Sequence, residues 1–488
     1  MIGFTRRAAE TRKPPGASKA LGWSFANTLV SRLGTLGIGI VLARILGPEA
    51  FGTYAVAFVA LMAILSFNEL GVSLAIVRWP GDPKDIAPTV TTVSIATSAL
   101  LCAVGFVLAP FYTAAMGDAG ATPVVRLLLL TVLIDGAAAS PAALLQRSFR
   151  QDKRMVIDQA NVWIGAILSV VLAVVGLGPM SLAVGRLAGS VVAGVMFVSY
   201  SPIPYRLGFD RAKLRPLLAF GLPLAGASIV FFAVGYADQL VVGGVLGSTA
   251  LGFYVLATNL SSWPVNMFSQ PLRSVAPAAF ARLQHDPDQR SAVLRSLLGV
   301  LASATIPVCF FLAGSAAAVV RFVYGEVWEP AAVVLAWLAV LSVFRIFYEL
   351  VYDYIVVLGF SRSILAIQLW WLIVLVPALV LGAHWAGLLG VGIAQVAVAA
   401  LLVFPVYLWR LHTAGVSILT VISRVWLPLL VGIGVGAIAY ALEHLIASSF
   451  LAVLASGSVA MVAVAGLLYR ERRTLSELRR VDVEERVA

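Results

Sequence analysis

Leu46-Gly-Pro-Glu-Ala-Phe-Gly-Thr-Tyr-Ala-Val-Ala57 recurs 200 positions later as Leu246-Gly-Ser-Thr-Ala-Leu-Gly-Phe-Tyr-Val-Leu-Ala257. Six of the twelve positions are identical, among them the Leu-Gly pair, Gly52/Gly252 and Tyr54/Tyr254. Each copy sits in a short turn between two long apolar runs. A repeat of this period in a very apolar chain points to a transporter built from two related halves.

The rest of the chain fits that reading. Of its 488 residues 61% are hydrophobic and 12% charged, with a mean hydropathy of +0.98. Soluble domains carry about twice that charge. Apolar runs of ~20 residues, each long enough for ~30 Å of hydrocarbon, recur from end to end. They predict an all-α polytopic membrane protein of fourteen spans, at 20–45, 51–77, 87–111, 123–146, 155–177, 180–201, 217–243, 248–275, 291–315, 331–358, 361–382, 386–409, 418–441 and 445–469.

Charge gives the orientation. The even-numbered loops carry Arg78 and Lys84, then Arg147, Arg150, Lys153 and Arg154, then Arg206, Arg211, Lys213 and Arg215, then Arg282 and Arg290, then Arg362, then Arg410. The intervening loops are nearly free of Lys and Arg, with Arg321 the exception and Arg44 and Arg126 near span ends. Both termini and the basic loops are therefore expected on the cytoplasmic side of the membrane. The net charge of +11 is read as topology, not as nucleic-acid binding. Six spans separate the two repeat copies, so both face one side, and the halves are parallel repeats. The expected division is a basic tail (1–19), a first six-helix lobe (20–202), a linker (203–216), a second lobe (217–411), two extra spans (412–469) and a second basic tail (470–488).

Polar groups inside hydrocarbon normally face a cavity or a partner. Arg32, mid-span in span 1 near Asn27, reads as a cationic cavity wall or as half of an ion pair. Glu69, at the cytoplasmic end of span 2, lines a cavity or pairs with Arg78. Asp135, in the middle of span 4, is a proton or cation site or a partner for Arg32. Asp238 lies towards the outer part of span 7. Arg345, Glu349 and Asp353 share one face of span 10, where Arg345 and Glu349 are placed to neutralise each other. Span 8 holds Asn259, Asn266, Gln270 and Arg273 and is interrupted by Pro264 and Pro271, which predicts a bend. Cys102 and Cys309 read as small buried residues. The four histidines have no metal-ligand spacing, and no nucleotide, metal or cofactor motif is present. Any active transport is then expected to draw on an ion or substrate gradient.

Val41-Leu-Ala-Arg-Ile-Leu-Gly-Pro-Glu-Ala-Phe-Gly-Thr-Tyr54 and Glu69-Leu-Gly-Val-Ser-Leu-Ala-Ile-Val-Arg78 resemble the opening of the Wzx-type polysaccharide-transport family in the MOP exporter superfamily. Leu144-Leu-Gln-Arg-Ser-Phe149, the second repeat copy and Tyr324-Gly-Glu-Val-Trp328 agree in order, so the resemblance runs to about span 12. It implies two six-helix lobes around a central cavity, alternating access, and a polyprenyl-pyrophosphate-linked oligosaccharide as substrate, moved from the inner to the outer leaflet. On that resemblance Arg32, Arg44, Arg78 and Arg273 are candidates for the substrate's charge, with Asn259, Asn266 and Gln270 beside them. No cofactor is implied. The implied partners are the lipid-linked glycan, membrane lipid and other polysaccharide-assembly proteins. Alternatives are a lipid II flippase, a cation-coupled drug exporter of the same superfamily, and a membrane glycosyltransferase or polymerase. The exporter would favour acidic cavity residues and twelve spans. The enzyme would need a catalytic loop, for which only Arg321, Glu326 and Glu329 present themselves, so the chain is expected not to be an enzyme.

Overall fold

The computed structural model describes residues 17–68, 72–269, 276, 280–281 and 287–472, with side chains from Gly37 onward at all but a few positions. The described residues are almost wholly helical and include no strand. The helices are α1 (17–46), α2 (48–68), the short α3 (Val72–Arg78), α4 (Ala87–Ala115), α5 (Thr122–Arg147), α6 (Gln151–Val174), α7 (Pro179–Ser199), α8 (Arg211–Leu246) and α9 (Ser248–Pro264). They continue as α10 (Pro287–Gly314), the short α11 (Ala316–Tyr324), α12 (Pro330–Val357), α13 (361–385), α14 (388–413), α15 (Ile418–Leu445) and α16 (Ser449–Arg470). Apart from α3 and α11, these are fourteen helices at the fourteen predicted spans.

Two of the expected spans differ in detail. The second, read as 51–77, ends as a helix at Asn68, and α3 forms a separate short helix up to Arg78. The eighth runs as α9 to Pro264 and passes at once into a π-turn, Val265–Ser269. A proline has no N–H to give and displaces the carbonyl one turn back, so the helix widens there. Pro271 lies outside the described residues.

The two halves repeat each other in backbone detail. The helix breaks at Gly47 (φ 71°, ψ 174°) and at Gly247 (φ 85°, ψ 175°), in the two copies of the repeat. It breaks similarly before α7 at Gly178 (φ 57°, ψ −137°) and before α14 at Gly387 (φ 57°, ψ −134°). A Cβ is disfavoured at such positive φ, which is why glycine recurs there.

The two copies of the repeat touch. A side chain on Gly52 would collide with the Ser248 carbonyl, and one on Gly252 would lie 2.7 Å from the Pro48 carbonyl. Each glycine thus meets the counterpart of its own turn's first helical residue, as a two-fold relation between the halves requires. Trp328 covers this seam. It is 1% exposed, donates from Nε1 to the Ala43 carbonyl (3.2 Å), and meets Phe51 and Phe253 edge-on at 5.5 and 5.8 Å. The largest buried apolar cluster runs across the seam, from Ala43, Ala55 and Val56 to Tyr254 and Trp328.

Helices α15 and α16 pack on α10, outside the paired halves. Arg321, the basic residue on an otherwise uncharged side, is offset by Glu329 (3.7 Å) and by Glu443 of α15 (3.8 Å). Both cysteines are buried and free.

Candidate functional site

Charged groups within the predicted spans collect into two clusters, one in each half. The second-half cluster is the more tightly bonded. Asp238 on α8 accepts from the Tyr254 hydroxyl (2.5 Å) and from the Gln239 N–H (2.8 Å). Gln395 on α14 reaches the Tyr254 hydroxyl (2.5 Å) and the Asp238 carboxylate (3.4 Å) through Nε2. Arg345 on α12 adds its charge from further off. Tyr254 and Gln395 are 0% and 5% exposed, so two of the donors to this half-buried carboxylate are fixed by packing. Each donor to a charged acceptor contributes about 1.5–3 kcal/mol.

The first-half cluster centres on Arg186 of α7. Its guanidinium lies 5.5 Å from the Phe58 ring centroid on α2. Its charge acts on Tyr54, on Asp135 of α5 and on Tyr236 of α8. Its Nε is buried and has no hydrogen-bond partner among the described residues. Tyr236 also feels Asp238, so it stands between the two clusters.

The other sequence candidates fall as follows. Glu349 accepts from the Ser269 hydroxyl at 2.6 Å, at the end of the π-turn. Arg345, one turn before it on α12, extends its charge to Asp238 of α8. Asp353 is buried at 8% exposure beside Tyr354, whose hydroxyl accepts from Arg290 Nε (3.3 Å). Arg44 donates to the carbonyls of Phe322 (2.6 Å) and Val323 (2.8 Å), closing the C-terminal end of α11 across the seam. Arg78 is exposed, 5.9 Å from the Phe220 ring centroid. Asn259 is exposed and Asn266 half-buried. The side chain of Arg32, and Glu69, Gln270 and Arg273 altogether, lie outside the described residues.

Sequence reading missed Arg186 and Gln395. For Arg186 the signal was there, a lone arginine inside the apolar run 180–201, the same signal that singled out Arg32. For Gln395 it lay in the repeat. Arg186 is the eighth residue after Gly178, and Gln395 the eighth after Gly387.

Comparison with known proteins agrees with the fold. Residues 41–333 match the family described as "Polysaccharide biosynthesis protein". The chain is 28% identical over 332 residues to the succinoglycan biosynthesis transport protein ExoT of Rhizobium meliloti, covering 66% of this chain and 65% of that one. It is 24% identical to the lipopolysaccharide biosynthesis protein WzxC of Escherichia coli, over 86% of each chain. Among solved structures, the lipid II flippase MurJ superposes with a TM-score of 0.76 at 14% identity, covering 93% of this chain and 99% of that one. An inward-facing multidrug-resistance MATE transporter of the MOP superfamily superposes at 0.60 with 18% identity, covering 79% and 95%. The shared fold is that of a polytopic membrane transporter with paired helical halves.

Proposed function

The chain belongs to this polysaccharide biosynthesis family, and on that premise we propose that it is a flippase that moves a polyprenyl-linked oligosaccharide from the inner to the outer leaflet of the bacterial cytoplasmic membrane. The two halves, 20–202 and 217–411, act as lobes that rock about the seam at Gly52 and Gly252. The protein translocates its substrate and does not transform it. Both termini face the cytoplasm, where the newly made glycan lipid is collected.

The observation that carries the reading is the pair of half-buried charged clusters, one in each half, with Tyr236 within reach of both. A charged side chain at the centre of a span costs about 2.5–3.5 kcal/mol on insertion. A sugar-diphosphate headgroup is too polar to cross hydrocarbon alone, and a polar passage between the halves replaces its lost hydration. Asp238, Asp135 and Glu349 are the carboxylates placed to exchange a proton or cation as the halves move.

The test is depletion with lipid analysis. The gene is repressed, polyprenyl-linked intermediates are extracted, and an impermeant glycan-reactive probe reports which leaflet holds them. One oligosaccharide-lipid accumulating in the inner leaflet is the expected outcome. Unchanged pools with new sensitivity to cationic drugs would replace this reading with a drug exporter, and shortened glycans would replace it with an enzyme.

A further inference from the structure

We propose that Arg186 seats the phosphate group of the transported headgroup, which occupies in the first half the place that the Asp238 carboxylate occupies in the second. This rests on the flippase reading. The argument comes from the internal repeat. Tyr54 and Tyr254 are each the seventh residue after their positive-φ glycine, Gly47 or Gly247. Arg186 and Gln395 are each the eighth after theirs. In the second half, the tyrosine and the glutamine converge on an acid, Asp238, nine residues before Gly247. The residue nine before Gly47 is Ile38.

The first half thus keeps the tyrosine, exchanges the amide for a guanidinium and lacks the carboxylate at the matching position. Asp135 on α5 is the carboxylate whose charge Arg186 meets instead. In the second half the tyrosine and the amide both bond the carboxylate. In the first half Arg186 Nε is buried without a protein partner among the described residues, beside the electron-rich face of Phe58. Asp135 lies within electrostatic reach but forms no ion pair with Arg186 among the described residues. A buried donor left unpaired costs about 1–3 kcal/mol, more when it carries charge. A guanidinium presents a planar fork of donors that matches phosphate oxygens. The ligand class is therefore a phosphate or diphosphate ester that enters from outside the fold. It can be delivered on a lipid or as a free anion.

The experiment measures binding to the purified full chain in detergent, with farnesyl diphosphate, inorganic diphosphate and farnesol as probes. The wild type is expected to bind farnesyl diphosphate, with farnesol much weaker. Weak binding of inorganic diphosphate assigns the site to a lipid-borne phosphate, and equal binding assigns it to a free one, which would overturn the headgroup proposal. Arg186→Gln is expected to weaken farnesyl diphosphate at least tenfold, and Arg186→Lys less. Ile38→Asp, with Arg186 intact, places a carboxylate where the second half has one. It is expected to weaken the same probe by competition, so the proposal does not rest on one variant that must fold. Each variant's melting temperature is measured alongside.

A structural role predicts a different pattern. If Arg186 serves only to offset Asp135, then Asp135→Asn combined with Arg186→Gln restores flipping that Arg186→Gln alone abolishes, and that rescue would overturn the proposal. Wild-type binding by Arg186→Gln would overturn it as well. Absence of farnesyl diphosphate binding by the wild type would also overturn it. The leaflet assay on the depleted strain then tells whether the flippase reading falls with it.

Discussion

At the scale of the residue, three sites have sharp consequences. Tyr254 holds the half-buried Asp238 carboxylate and is itself held by Gln395. Tyr254→Phe removes the shortest donor to that carboxylate and is expected to cost about 1.5–3 kcal/mol, the usual value for a hydrogen bond to a charged group. Thermal melting in detergent measures it, and a flipping assay on the same variant should show reduced transport. Gly52 and Gly252 bring the two repeat copies into contact. Gly52→Leu is expected to lower stability by about 1–3 kcal/mol through overpacking. A cysteine pair placed across the seam should then cross-link more slowly than in the wild-type background. Trp328, 1% exposed between Phe51 and Phe253, should cost about 3–5 kcal/mol when cut to alanine, because the neighbours it wedges apart collapse only in part.

At the scale of the element, the place to look is the junction of α9 with the π-turn that follows Pro264. Serine 269 at its end bonds Glu349 of α12, and the Ser342 hydroxyl donates to the Ser261 carbonyl at 2.8 Å, so the bend is tied to α12 from both sides. Pro264→Ala restores an N–H and lets the helix run straight. The expected outcome is a protein that melts at or above the wild-type temperature but flips its substrate more slowly. Slower transport without loss of stability would separate a role in movement from a role in folding. A variant that only melts lower would tell against the bend as a moving part. The interruption was visible in the sequence as a proline inside an apolar run. Its form as a widened turn was not, because the proline only removes a hydrogen bond, and the packing of α12 decides how the chain reroutes the rest.

At the scale of the whole molecule, the arrangement predicts a fixed orientation. Single cysteines at Glu49 or Leu388 should react with an impermeant thiol reagent added outside the cell, and one at His412 should react only after the membrane is opened. The two helices beyond the paired halves are part of the packed structure: a side chain on Gly314 of α10 would collide with the Gly436 carbonyl of α15. Gly314→Leu is therefore expected to loosen that contact and to increase protease sensitivity between α14 and α15, with the paired halves left intact.

The sequence by itself determined the class, the number of spans, the parallel repeat and the family. All four rest on properties that a linear chain carries openly: runs of apolar residues matched to the bilayer, a charge alternation from loop to loop, and a motif repeated without a gap. It also pointed to Asp135, Asp238 and Glu349 as groups too costly to bury without a purpose. Only the tertiary structure decided who meets whom. Arg345 on α12 acts on Asp238 of α8, and Arg44 closes a helix in the other half. Arg186 and Gln395 emerge as counterparts once Gly178 and Gly387 are seen to share one backbone conformation. The physical reason is that insertion energy is a sum over single residues, whereas partnership depends on distances between helices that neighbouring sequence does not encode.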